Sequence, residues 1–365
     1  MFKLHAVQAK EGDALLLEYG ASSNPHFILV DGGPSGTYRD HLRGALEGIA
    51  RRELELVILS HVDNDHAVGL VDLFSELFEQ QVNERPLLIK PKALWHNAFS
   101  QTLSHEVQER LANALAGAPN QAALQATQAV LAGVNAGSKL RGLATSLNVP
   151  VNPAFGKNPV RLETQAAPFQ SENLTLTVVG PTERNLARLK KDWEKWLDKN
   201  EEKIATGEVE PLALSDTSIP NLSSIVVVAR ADDRTVLLTG DARGDFIVEG
   251  LRTGGYPANA DGRFHFDCLK VQHHGSDRNS DLEFFEQVTA DHYLISADGK
   301  HGNPEPETLE WILQAASKQH RRFTLHVTNE PQGVQEFVTQ YPPETSGYTL
   351  NLLEPGAHVL TLSLA

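Results

Sequence analysis

Residues 56–66 read Leu56-Val57-Ile58-Leu59-Ser60-His61-Val62-Asp63-Asn64-Asp65-His66. The first four are apolar on both faces, the pattern of a strand covered on both sides of its sheet. The rest puts four metal-capable side chains, His61, Asp63, Asp65 and His66, within six residues at the end of that strand. In α/β proteins functional groups gather there, because strand ends open onto a crevice. Residues two apart on a strand point the same way. His61 and Asp63 are therefore expected to share one metal, with the turn aiming Asp65 and His66 at a second. Acidic and histidine residues are common in turns, but this density is hard to explain as a turn alone.

Working outward, Ala14–Tyr19 and Phe27–Val30 read as two strands, the second stopping at Asp31-Gly32-Gly33-Pro34. A helix carrying Leu42, Leu46 and Ile49 is expected before the motif, and one from Val68 to about Phe78 after it. Residues 102–147 are rich in Ala, Leu and Gln and read as a helical insertion. A second one starts at 183, and its mixed Lys and Glu run reads as a solvated helix face. Ser224–Val228 and Thr235–Thr239 form a hairpin around Ala231-Asp232-Asp233-Arg234. Further strands are expected at Leu174–Val179, Cys268–Val271, Tyr293–Ser296 and Phe323–Val327. Two of these elements end on ligand types: Thr239-Gly240-Asp241, and Val271-Gln272-His273-His274-Gly275-Ser276. A lone Asp after Gly is usually a turn residue. Three strand ends carrying His and Asp in one chain are not so explained. Interleaved strands and helices suggest a layered α/β sandwich.

Together these motifs resemble those of the metallo-β-lactamase-fold hydrolases, and in particular the hydrolase domain of ComEC-type DNA-uptake proteins and their stand-alone relatives. Gly12-Asp13-Ala14, Val30-Asp31-Gly32-Gly33, His61 to His66, Asn221 to Val226 before Thr239-Gly240-Asp241, His273-His274-Gly275-Ser276 and Gly302-Asn303-Pro304 follow in the family's order. The resemblance implies an αββα sandwich spanning residues 1–365, with helical insertions at about 97–170 and 183–215. It implies two divalent metal ions, zinc or manganese with magnesium as an option. His61 and Asp63 would hold the first. Asp65, His66 and one of His273 or His274 would hold the second, with His274 favoured. Asp241 would bridge them. Asp13 and Asp31 would orient ligands. The reaction implied is hydrolysis by a hydroxide bound between the metals, with Asp65 also accepting its proton.

Three departures stand out. Most of the superfamily has His where this chain has Asp63, and a carboxylate favours harder ions such as manganese or magnesium. The third-motif His has no clear match; His96 and His105 are candidates, and a packed loop histidine is as good a reading of His96. Asn303 stands where the DNA-uptake branch has His, and His301 is a candidate donor to a substrate phosphate.

Composition bounds the function. The 365 residues carry a formal net charge of −15, so a dedicated polycationic nucleic-acid binder is excluded. A nuclease holding DNA through metals, with local basic residues such as Arg51, Arg52, Lys90, Lys92, Lys139, Arg141, Lys157 and Arg161, is not. The single cysteine, Cys268, excludes a disulfide framework and a cysteine zinc site. No signal-peptide core or run of 18 apolar residues is present, and a cytoplasmic protein with no membrane partner is expected. The leading expectation is a metal-dependent phosphodiesterase acting on DNA. The alternatives are a hydrolase of a lactone, thioester or cyclic nucleotide on the same fold, or a latent enzyme opened by a protein activator, as in bacterial defence.

Overall fold

The computed structural model describes residues 1–97, 135–156, 158–188, 190, 191, 194, 195, 198 and 223–364. Two sheets lie face to face. The first is built from β1 (Phe2–Val7), β2 (Leu15–Ala21), β3 (Asn24–Val30), β5 (Leu56–Leu59) and β7 (Leu94–His96), while the short β4 (Glu53–Leu54) and β6 (Lys90–Pro91) belong to neither large sheet. The second holds β8 (Phe169–Ser171), β9 (Leu174–Gly180), β10 (Val226–Ala231), β11 (Arg234–Leu238), β12 (Phe264–Lys270), β13 (Val288–Ile295), β14 (Phe323–Val327) and β15 (Tyr348–Leu352). The last strand, β16 (Val359–Ser363), returns to the first sheet beside β1.

The first sheet runs β16-β1-β2-β3-β5-β7 and the second β15-β14-β13-β12-β11-β10-β9-β8; β4 and β6 pair separately. Antiparallel hairpins start each half. Parallel pairs follow, β3 with β5 and β5 with β7 in one sheet, and β11 through β15 in the other. Parallel strands bring their C-terminal ends to one edge, and the ligand motifs stand on that edge.

Alternation explains the layering. Leu56 and Ile58 face the second sheet, packed with Phe2, Leu17, Val227, Leu238 and Leu294. Val57 and Leu59 face the other way, onto α1 (Arg43–Glu47) and α2 (Asn64–Val82). The outer face of the second sheet is covered by the helices Gly244–Thr253, Leu282–Gln287, Pro306–Lys318 and Gln332–Gln340. Helix, sheet, sheet, helix is the expected αββα order, and the fold is the mixed α/β architecture of the metallo-β-lactamase type.

Several local expectations change. The N-terminal region has three strands, not two: β1 alternates, with Phe2, Leu4 and Ala6 inward and Lys3 and His5 partly exposed. Helix α2 begins at Asn64, with Asp63 extended just before it, four residues earlier than Val68. Its start is pinned because the Gly32 N–H donates to His66 O at 2.8 Å and the Gly69 N–H donates to Gly33 O at 2.9 Å. Residues 98–134, with His105, lie outside the described residues; 135–146 and 183–188 are helical, as expected. At the end of the first expected insertion, β8 pairs with β9 in the second sheet.

Candidate metal centre

Strand β5 ends at Leu59, so His61 and Asp63 lie beyond it and strand alternation does not place them. They meet nonetheless: His61 Nε2 is 3.7 Å from Asp63 Oδ2. What aims the ring is Ser60. Its Oγ accepts from His61 Nδ1 at 3.1 Å and donates to Asp31 Oδ2 at 2.6 Å, while the Ser60 N–H donates to Asp31 Oδ1 at 2.7 Å. Asp31 adopts a left-handed φ of 59° at the end of β3, which turns its carboxylate under the motif. The same carboxylate accepts from His66 Nδ1 at 2.8 Å.

The other two histidines follow this rule. His273 Nδ1 donates to Asn279 Oδ1 at 2.6 Å, and His274 Nδ1 donates to the Ser296 carbonyl at 2.9 Å. Both have left-handed φ, 48° and 56°, which swings two consecutive rings into the cleft after β12. Each of the four rings thus engages an oxygen through Nδ1 and turns Nε2 toward the centre of the cluster. All four Nε2 atoms converge on Asp241, at 3.7 Å from His61, 3.3 Å from His66, 3.8 Å from His273 and 3.6 Å from His274. Asp241 sits just past β11, its backbone carbonyl held by Asn279 Nδ2 at 2.8 Å. Asp65 Oδ2 lies 3.6 Å from His274 Nε2.

The donor set fits divalent cations. His61 Nε2 and Asp241 Oδ1 are buried and have no hydrogen-bond partner among the described residues. Two overlapping groups have ligand atoms close enough to share an ion: Asp13, His66, Asp241 and His274, and His61, Asp65 and His66. Imidazole nitrogens with carboxylate oxygens suit zinc, manganese or similar ions. Sequence reasoning singled out all these side chains; the structure adds Ser60, Asn279 and Ser296 as the groups that orient them.

Burial opposes the charged form of Asp241, yet His274, His66, His273 and His61 hold its carboxyl well below the usual range. His66 and His274 are pushed well up, against burial, by Asp241 together with Asp31 and Asp65 for the former and Asp13 for the latter. His61 goes the other way, down to about 3, through burial and the nearby His66. Asp63 is raised well above its ordinary value by desolvation and by Asp65 and Asp241, whereas Asp65 is lowered, against burial, by His66 and His274. Asp63 and Asp65 are 23% and 27% exposed, and form the mouth of the site.

His301 does not join this cluster. It is exposed in the turn before Asn303, whereas its neighbour Lys300 is bonded to Glu11. Asn303 is buried and donates to the His273 carbonyl at 3.2 Å. His96, at the end of β7, is fully buried, and both its ring nitrogens lack partners among the described residues. Burial, helped by Arg141, lowers its pKa to about 3. It pairs in register with Leu59, and the helix 135–146 passes over it so closely that a Cβ on Gly137 would stand 3.1 Å from its ring. Of the basic residues, Arg51 pairs with Glu53, Lys92 with Glu53 and Glu55, and Arg161 with Glu163 and Glu183. Lys157 lies outside the described residues.

Residues 16–134 match the sequence model of the metallo-beta-lactamase superfamily. That stretch carries Asp31 and the His61-to-His66 motif and ends before Asp241, His273 and His274. The superfamily consists in general of metal-dependent hydrolases, and the His/Asp cluster described above is one that could bind metal. No curated protein matches the chain. Among solved structures, the chain is similar to the crystal structure of the metallo-beta-lactamase fold protein YhfI from Bacillus subtilis, at 12% identity and a TM-score of 0.43, over 99% of this chain and 100% of that one. No helix among the described residues is long and apolar enough to cross a membrane.

Proposed function

We propose that this protein is a metal-dependent phosphodiesterase that cleaves DNA, akin to the hydrolase domain of ComEC-type proteins, in the cytoplasm. The observation that carries the metal-hydrolase part is the convergence of four Nε2 atoms on Asp241, flanked by two solvent-facing carboxylates. Asp63, in place of the superfamily's usual His, favours harder ions and hence phosphate oxygens as their ligands.

In this reading His61, Asp63, Asp65, His66, Asp241, His273 and His274 hold two divalent cations. Bound there, such ions supply Lewis acidity and a nucleophile from water at neutral pH. The chain's own residues do the rest. Asp31, Ser60, Asn279 and the Ser296 carbonyl hold the rings so that no reorganisation is needed when substrate arrives. Asp65, ionised and at the mouth, is placed to take a proton from a water entering the site. Its carboxylate also repels an anionic backbone until cations offset it, so binding of DNA should require metal.

The test is degradation of linear and supercoiled DNA by metal-stripped protein resupplied with manganese, magnesium or zinc, beside an Asp65→Ala, His66→Ala variant. Metal-dependent cleavage lost in the variant is the expected result. Stoichiometric bound metal without cleavage of either DNA would refute the nuclease reading and turn attention to small-molecule esters and thioesters, or to a protein activator.

A further inference from the structure

One fully buried charged group near the site is not a ligand. Lys270, the last residue of β12, is fully buried, and its Nζ forms an ion pair with Asp13, which is buried as well. Lysine is almost never buried completely unless paired. A buried pair seldom stabilises a fold more than an apolar pair of the same volume would. The neighbours Cys268 and Leu269 show what this strand otherwise carries: both pack in apolar core.

Asp13 connects this ammonium to the site from behind. Its Oδ1 is 3.6 Å from His274 Nδ1 and its Oδ2 is 4.0 Å from His66 Nδ1, so it lies on the Nδ1 side of both rings. The loop bearing Asp13 is tied to the motif at two further points. The Asp13 N–H donates to the Asp65 carbonyl at 3.2 Å. The Gly12 carbonyl accepts from Ser296 Oγ at 2.6 Å, and the Ser296 carbonyl holds His274. Gly12 has no room for a side chain, since a Cβ would fall 1.9 Å from Asp65 O.

We propose that Lys270 is a positioning residue of the metal centre: its ammonium fixes the Asp13 carboxylate against His66 and His274 and thereby sets how tightly cations are held. The proposal rests on the metal-hydrolase reading above. Asp13, so fixed, lends negative charge to both rings on their Nδ1 sides and strengthens them as ligands; removal of such supporting groups typically weakens metal binding about 10–100-fold.

The experiment compares the wild-type chain with Lys270→Met/Asp13→Asn, a neutral pair of similar size, and with Lys270→Gln, which removes the ammonium while keeping a polar side chain. Cobalt(II) is the probe, with its affinity measured by competition against a chromophoric chelator and its visible absorption band recorded on folded protein. Both variants are expected to bind cobalt at least about tenfold more weakly, with a shifted band. Wild-type affinity and band in either folded variant, or tighter binding, would overturn the proposal, because a purely structural pair alters stability without altering the ion's environment. Wild-type protein that takes up no cobalt would overturn the metal-centre reading, and this inference with it.

Discussion

Asp31→Asn is the sharpest probe of how the site is built. Asparagine has almost the same shape and tolerates the left-handed φ of 59° that this position requires. Its Oδ1 can still accept from the Ser60 N–H, now 2.7 Å away. The other atom becomes an NH2 group, directed at Ser60 Oγ and at His66 Nδ1, which lie 2.6 Å and 2.8 Å from the carboxylate. His66 must then accept at Nδ1 and carry its proton on Nε2, the nitrogen facing Asp241 and His274 at 3.3 Å and 3.2 Å. To ligate a metal the ring must return to the other tautomer and set N–H against N–H. A carboxylate-to-amide change that imposes the wrong histidine tautomer is severe in hydrolases that rely on it. For a metal ligand the expected loss is about 10–100-fold in affinity, or roughly 1.4–2.7 kcal/mol. The assay is competition for zinc or manganese against a chromophoric chelator, with urea unfolding of the metal-free proteins as the control for folding. A folded Asp31→Asn variant binding within about threefold of wild type would refute the argument that Asp31 selects the tautomer.

Chelator-treated protein should unfold at lower urea than protein with excess zinc or manganese; at one hundred times the dissociation constant a bound ion adds about 2.7 kcal/mol, and superimposable curves would contradict a metal centre. Gly69→Ala places a Cβ 1.8 Å from Gly32 O and should cost about 3 kcal/mol or more, whereas Gly44→Ala, in α1 with nothing within 4 Å, should gain about 0.5–1 kcal/mol by the same unfolding measurement. His96 has a folded pKa of about 3, below its unfolded value, so below pH 6.5 the unfolded chain binds the extra proton and stability falls with pH. Metal-free His96→Leu should therefore gain about 1.4 kcal/mol per pH unit relative to wild type between pH 6 and 4; parallel pH profiles would show that His96 is protonated in the fold.

Much of this site was legible because its chemistry is concentrated in short runs. Leu56 to Leu59 announced a covered strand, and the following His and Asp residues announced a strand-end centre. Strand alternation is not what pairs His61 with Asp63: the strand stops two residues short, and a serine hydroxyl sets the ring. The αββα order could be expected from interleaved elements, but the return of Val359–Ser363 to pair with β1 could not, since nothing local in either segment specifies a partner at the far end of the chain. β1 itself was readable in Phe2-Lys3-Leu4-His5-Ala6, whose alternation is clear once sought. The sequence motif favours His274 over His273, but that both rings turn into the cleft depends on two successive left-handed residues, which no local pattern announces. Lys270 did leave a signal, a lone charge in the apolar run Cys268-Leu269-Lys270-Val271.

Asp31 and the His61-to-His66 loop hang from one sheet, while Asp241 and the His273-His274 turn hang from the other. Ions held by both sets would act as a non-covalent staple, closing a very long loop in the way a disulfide does and penalising every unfolded state that separates residues 66 and 241. The two halves of the sandwich would then lose their mechanical independence on metal uptake: amides that exchange by sheet-against-sheet opening in the stripped protein should, in the loaded one, exchange only through global unfolding. A chain with only one cysteine, and so no intramolecular disulfide, would have obtained its strongest long-range tether from its own reactive centre.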